Sequence, residues 1–216
     1  HWTMVPDTFR AVSGTAWHVS GTRFEYAALM SRVSELPSPW CAPMPLPIAC
    51  RTARLRLRFW QPADAPAMFH ALSIDRTSFL PWLPFIKSDN RTVEECEASI
   101  VRFQERCTQV APPPSDFVIG IFDVASGEAV GSTGLHRIVH AWHEAEIGYW
   151  IRADRRRQGL CKEAVAALVT WAFRAPTDGG WGLRRIHIRC AAANVSSSRV
   201  PVKLGFVHEA TLRRER

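Results

Sequence analysis

Arg155, Arg156 and Arg157 run together just ahead of Gly159, and Gly159 stands directly before an apolar stretch from Leu160 to Phe173. A glycine lets backbone approach a ligand without a Cβ in the way. The guanidinium groups add positive charge. The first N–H groups of a helix have no intrahelical partner and sit at the positive end of its dipole. Arranged as loop and helix start, these residues describe a cradle for an anion such as a pyrophosphate. The alternative is a solvated basic loop, which a charge run and a single glycine would equally make. Neither G-x-x-x-x-G-K-[ST] nor G-x-G-x-x-G is present, so this is neither a P-loop nor a dinucleotide fingerprint.

Other residues with chemistry to offer lie on either side. Glu144 and Glu146 fall on one face of an alternating stretch, 144–151, that leads into the cradle. His136, His140 and His143 precede it, but their spacing is not H-E-x-x-H, and they span a strand end and a loop. They read as titratable side chains near an acceptor site rather than as metal ligands, and no metal is expected. Asn194 and Ser197 come later, at the start of a short helix.

The elements that must position these groups follow from periodicity and punctuation. Residues 54–59 alternate arginine with leucine and phenylalanine, giving a strand with one wet face. Pro62 and Asp64 open a helix to about Leu72. Residues 78–85, apolar and broken by prolines, form a structured loop. Thr92 to Glu95 is a capping box that starts a helix to about Cys107. Strands at 116–124 and 130–137 flank a hairpin turn at 125–128. After the helix 160–173 come a turn, a strand at 184–191, the short helix after Asn194, and a strand at 207–212. Pro201 inside that short helix removes one N–H and should leave a carbonyl near Ser197 free. Gly205 closes the helix as a C-cap.

The run from Arg156 through Gly159 to Cys161 resembles the acetyl-CoA loop of the GNAT N-acetyltransferase superfamily, [QR]-x-x-G-x-[GA], with cysteine where glycine or alanine is usual. Residues 146–151 (EIGYWI) and 194–206 (NVSSSRVPVKLGF) narrow the resemblance to the RimJ/RimL-like branch, which acetylates N-termini of ribosomal proteins. It covers roughly residues 52–216. It implies an α/β (α+β) fold with a mixed central sheet, splayed at the acetyl-CoA site and carrying helices on both faces. It implies acetyl-CoA as co-substrate, held by the loop Arg156, Arg157, Gln158, Gly159, Leu160, Cys161 and Lys162. The backbone of Tyr149, Trp150 and Ile151 would pair with pantetheine and polarise the acetyl carbonyl, and Asn194 would bind pantetheine. Ser197 would act on the departing sulfur. Glu146 is the candidate base, directly or through a water, with Glu144 second. The loop 78–85 would border the acceptor. The expected activity is transfer of acetyl to a primary amine, of a protein N-terminus or a small molecule. The alternative is an acyl-CoA-binding sensor without turnover.

Composition fits that class. The chain has 216 residues, 47% hydrophobic and 22% charged, as expected of one globular domain with a core. A net charge of +7 suggests an anionic partner. With no nucleic-acid motif and with arginines at the cradle, a nucleotide-like cofactor is favoured over a polynucleotide. Six dispersed cysteines without a C-x-x-C pair suit reduced thiols in a cytoplasmic setting. No apolar run is long enough to span a membrane, and no signal-peptide pattern opens the chain.

Residues 1–51 read as an N-terminal extension ahead of an acetyltransferase domain, 52–216. Strand-like pieces at 1–5 and 16–20 and a weak helix at 24–33 precede a linker at 36–48 with five prolines. GNAT folds carry one more strand, inserted between the equivalents of 184–191 and 207–212, and no segment after 212 supplies it. Residues 1–5, which alternate, are expected to fill that place, within the same chain or from the partner of a homodimer.

Overall fold

Alternation at residues 54–59 resolves into a half-buried strand. In a computed structural model, which describes residues 6–12 (as backbone), 50–108 and 113–212, Leu55 and Leu57 are fully buried while Arg56 is exposed. The strands are β1 (Pro6–Val12), β2 (Cys50–Arg51), β3 (Leu55–Phe59), β4 (Phe117–Asp123), β5 (Ala129–Val139), β6 (Glu144–Ile151), β7 (Arg185–Ala191) and β8 (Val207–Thr211). The helices are α1 (Ala65–Ser73), α2 (Val93–Thr108), α3 (Leu160–Phe173) and α4 (Val195–Lys203). The strands form a single sheet in the order β2-β3-β4-β5-β6-β7-β1-β8. All its neighbours pair antiparallel except β6 and β7, which are parallel, so the sheet is mixed.

Both faces are covered by helices, as expected for this architecture. On one, Leu160, Ala164, Val165 and Leu168 of α3 join Leu135, Ile147 and Ile186 in the main core, which Trp171 and Trp181 extend. On the other, Met68 and Leu72 of α1 and Cys96 and Ile100 of α2 pack around Trp60 and Phe122. Burying such side chains stabilises by about 1.5–3 kcal/mol each before entropy is counted. The loop 78–85 is seated by short 3₁₀ turns, Arg76–Phe79 and Pro84–Lys87. The capping box before α2 is half formed. Thr92 Oγ1 accepts from Glu95 N at 3.2 Å, but the Glu95 carboxylate turns back to Arg91, taking its backbone N–H at 2.8 Å and its guanidinium. An arginine within reach outcompetes the backbone N–H of Thr92 for a carboxylate.

The strand between β7 and β8 is β1. It runs antiparallel to both, with Phe9 opposite Ile188 on one side and His208 on the other. It starts at Pro6, and a proline is tolerated at the first residue of a strand. Residues 1–5, where sequence placed this strand, lie outside the described residues, as do the pieces at 16–20 and 24–33 and the proline-rich segment 36–48.

Candidate active site

Parallel pairing between β6 and β7 lasts only from Glu144 opposite Arg185 to Glu146 opposite His187. Beyond that point β6 runs on to Ile151 and β7 to Ala191 without pairing, so the sheet opens like a V. Backbone groups on that side of residues 147–151 have no strand partner and face the opening, a polar wall prepared for an extended ligand. A cavity of about 1340 Å³ fills the V. It is lined by β6 residues 146–151, by the cradle, and by Asn194, Ser197 and Arg199 of the α4 region. Tyr149, Trp150, Ile151, Arg156, Arg157, Gly159, Leu160, Cys161, Lys162, Asn194, Glu146 and Ser197 all line it. Of the residues expected there, Gln158 and the second candidate base Glu144 do not; the Gln158 side chain donates to Asp154 O at 3.3 Å.

The cradle is staked from behind. Arg152 is buried and grips Asp154 through two contacts of 2.8 Å, while also donating to Ala129 O. Arg155 pairs with Asp123 at the β4–β5 hairpin. Arg54 Nη1 donates to Gln158 O at 3.1 Å, and the Arg54 guanidinium also holds Glu163 in the first turn of α3. Gly159 is the N-cap of α3 at φ 79°, a conformation that carries little penalty only for glycine. Arg156 is turned inward: Nε donates to Ile151 O at 3.2 Å, Nη2 to Ser78 Oγ at 2.8 Å, and the guanidinium lies 4.6 Å from the Phe79 ring centre. It clasps the loop 78–85 to the end of β6. Arg157, at φ 60°, has no ion pair or hydrogen bond among the described residues and lines the cavity. Burial pushes the Cys161 thiol up to about 12, so it stays a neutral SH, small enough for the glycine-or-alanine position.

Tyr149 joins the walls of the V. Its hydroxyl donates to Ser197 O at 2.8 Å, and Ser197 Oγ donates back to Tyr149 Oη at 3.3 Å. The Ser197 carbonyl is the one that Pro201, four residues on, cannot serve for want of an N–H. Thus the carbonyl that sequence expects to be free receives the Tyr149 phenol. Burial raises the Tyr149 pKa, so the phenol remains a proton donor. Asn194 caps α4, its Oδ1 accepting from Ser197 N at 3.2 Å.

Glu146 faces the cavity, but its carboxylate is already engaged. Arg137 Nη1 donates to it at 2.5 Å, His187 Nε2 lies at 3.4 Å and Arg189 Nη1 at 3.9 Å. Burial pushes its pKa up, yet His187 and Arg137 outweigh that and hold the carboxyl below its ordinary range. Such a group is ionised but weakly basic. Glu144 is turned to β7, 3.1 Å from His187 Nδ1 and 3.6 Å from Arg185. Arg137 reaches Glu146 because β5 bulges between His136 and Val139, where Arg137 adopts φ 49°.

The three histidines go separate ways. His136 Nδ1 is 3.2 Å from Asp116 Oδ1, His140 Nε2 2.9 Å from Pro114 O, and His143 Nδ1 3.4 Å from Gly182 O. A second cavity of about 450 Å³ lies on the α1–α2 side of the sheet. His136 and Asp116 line it, with Phe85 from the loop 78–85 and Phe103 and Arg106 from α2. Leu83, Gly148, Tyr149 and Trp150 line both cavities, so the two meet across the middle of β6. Sequence alone did not mark Asp116, the inward turn of Arg156 or the service of Arg54. Each depends on a partner far away in the chain. The one readable signal is that Gly134 and His136 stand two residues apart in one strand, which puts them on the same face.

Comparison with known proteins agrees with this geometry. Residues 54–207 match the family model described as an acetyltransferase (GNAT) domain. The chain belongs to this family and is by that membership an acetyl-CoA-dependent N-acetyltransferase. It is 28% identical to the uncharacterised N-acetyltransferase YoaA of Bacillus subtilis, over 75% of this chain and 84% of that one. It is 27% identical to the ribosomal-protein-serine acetyltransferase of Escherichia coli K12, over 62% of this chain and 66% of that one. Among solved structures, the ribosomal L7/L12 alpha-N-protein acetyltransferase RimL in complex with coenzyme A superposes with a TM-score of 0.64 at 20% identity. That match covers 78% of this chain and 90% of the other, and at such identity it establishes the fold.

Proposed function

We propose that this chain moves an acetyl group from acetyl-CoA directly to a primary amine, of a protein N-terminus or a small molecule. The observation that carries the reading is the meeting of two cavities across Gly148, Tyr149 and Trp150. One is the larger, and reaches a basic helix start. The other is smaller, and is lined by the carboxylates of Asp89 and Asp116 together with Arg102 and Arg106. A thioester laid along the first and an ammonium drawn into the second would meet at β6.

Acetyl-CoA supplies the acyl group as a thioester, and the chain's own residues do the rest. The α3 N-terminus and Arg157 offer N–H groups and charge for the pyrophosphate. The backbone of 147–150 on the side away from β5 lines up the pantetheine arm, alongside Asn194, while Ile151 O is taken by Arg156. A backbone N–H on this wall would steady the negative charge that develops on the carbonyl oxygen. Ser197 would serve the departing sulfur by turning its hydroxyl proton from Tyr149 Oη, a bond of 3.3 Å, to the thiolate, while Tyr149 stays bonded to the Ser197 carbonyl. Arg137 and His187 hold Glu146 as an anion at the apex of the V, where it can orient the incoming ammonium.

The test is release of free thiol from acetyl-CoA across a panel of acceptors: peptides with serine or alanine N-termini, amino acids, polyamines and aminoglycosides. Turnover with one class and calorimetric binding of acetyl-CoA are expected. Binding without turnover on any amine would favour the sensor instead.

A further inference from the structure

Building on the amine-acceptor reading, we infer that His136, oriented by Asp116, takes the proton from the acceptor ammonium before attack. His136 and Glu146 are cross-strand partners on one face of the sheet, but their side chains part company. Glu146 turns to Arg137 and β7. The His136 ring folds the other way, over Gly134 and Gly148, which also face each other across β5 and β6. A Cβ at Gly134 would come within 2.8 Å of His136 Nε2, and one at Gly148 within 3.4 Å. Two facing glycines thus make the floor on which the imidazole lies. That floor places Nε2 beside Gly148, where the two cavities join.

Orientation settles which nitrogen can accept. The Asp116 carboxylate accepts a hydrogen bond from Nδ1–H at 3.2 Å, which leaves the lone pair on Nε2. Among the described residues Nε2 has no hydrogen-bond partner. Among the other charged groups, Asp89, Arg102 and Arg106 line the same cavity, while Glu146, opposite on β6, and Arg137, next in the chain, line the larger one. Arg102 lies 3.7 Å from Asp89 and donates to Ser99 Oγ at 2.8 Å, while Arg137 is paired with Glu146. Neither of these two guanidinium groups is directed at Nε2.

The step balances simply. Nε2 takes one proton from R–NH₃⁺, giving R–NH₂ and an imidazolium. The amine lone pair then forms the C–N bond at the thioester carbonyl. The C–S bond breaks, the sulfur leaves as thiolate, and the second proton of the attacking nitrogen passes to it, giving the neutral amide and the free thiol. The imidazolium returns its proton to solvent.

The experiment compares kcat, KM and pH–rate profiles of the wild type with His136→Asn, Asp116→Asn and Glu146→Gln, using the best amine of the panel. His136→Asn is expected to lower kcat by roughly 10²-fold, the usual scale for losing a general base. Its calorimetric acetyl-CoA affinity should stay intact and the acidic limb of its profile should vanish. Asp116→Asn should shift that limb to lower pH, because no carboxylate then supports the imidazolium. Glu146→Gln should keep it. Should His136→Asn not fold, the Asp116→Asn shift decides alone. Wild-type turnover with the acidic limb intact in His136→Asn, or unmoved in Asp116→Asn, would overturn this inference and leave the acetyltransferase reading standing. No wild-type turnover on any amine would overturn both.

Discussion

Arg156 and Arg157 are neighbours with opposite duties, and mutation should tell them apart. Arg156→Ala removes the clasp to Ser78, Ile151 and Phe79. Its expected effect is a loss of about 1–2 kcal/mol in unfolding free energy, with acetyl-CoA binding weakened only through a looser loop. Arg157→Ala should leave the melting temperature unchanged and weaken acetyl-CoA binding roughly tenfold, the scale of one charge-assisted contact. It should also flatten the salt dependence of that binding. Gly159→Val should be worse than either for the ligand, since φ 79° costs a branched residue about 1–2 kcal/mol. Calorimetry beside thermal unfolding reads all three; equal losses of stability in Arg156→Ala and Arg157→Ala would contradict this division. The glycine was legible in the sequence because its position before an apolar helix demanded it. Which arginine faces the ligand was not, because that depends on Ser78 and Phe79, far back in the chain.

At the scale of elements, α4 and β6 are tied by one exchange. Pro201 withholds an N–H, and the Tyr149 phenol takes the vacated carbonyl of Ser197. The first half of that exchange could be read from the sequence, since a proline in a helix always orphans the carbonyl four residues earlier. The second half could not, since the donor lies 48 residues away on another element. Pro201→Ala is expected to restore the helix bond and release the phenol. The helix should not be destabilised, while kcat falls as Ser197 and Tyr149 lose their fixed relation. Tyr149→Phe should lower kcat as well. The two should be non-additive in unfolding free energy by at least about 0.5 kcal/mol, because they act on the same carbonyl. Additive effects in that double-mutant cycle would break the link. The β5 bulge was hidden for a similar reason. Arg137 carries no glycine-like signature, and its φ 49° is held by Glu146 across the sheet.

For the whole molecule, the resemblance read from residues 146–151, 156–161 and 194–206 was enough to set out the mixed sheet, its splay and its helices. The place of the strand between β7 and β8 was legible because two strands without an insert would leave backbone groups unpaired. Its sequence address was not, since register and start depend on contacts with β7 and β8 rather than on local alternation. We propose that residues 1–51 serve the acetyltransferase domain by delivering β1. A variant lacking residues 1–49 should expose the edges of both β7 and β8, lower the melting temperature and associate in size-exclusion chromatography. A peptide spanning residues 1–15, added in trans, should reverse part of this. An unchanged melting temperature would show that β1 contributes nothing.

The position of β1 also sets an order in time. It is the first of the described strands to be synthesised, and its two neighbours are the last. Until the codons for β8 have been read, Pro6–Val12 has one partner at most, and before β7 it has none. Loop closure from the first to the last of the described strands is then offset first by pairing with β7 and afterwards by pairing with β8. Through that interval an unpaired strand is open to capture by other chains. The sheet's last gap is therefore closed by the oldest of its described strands.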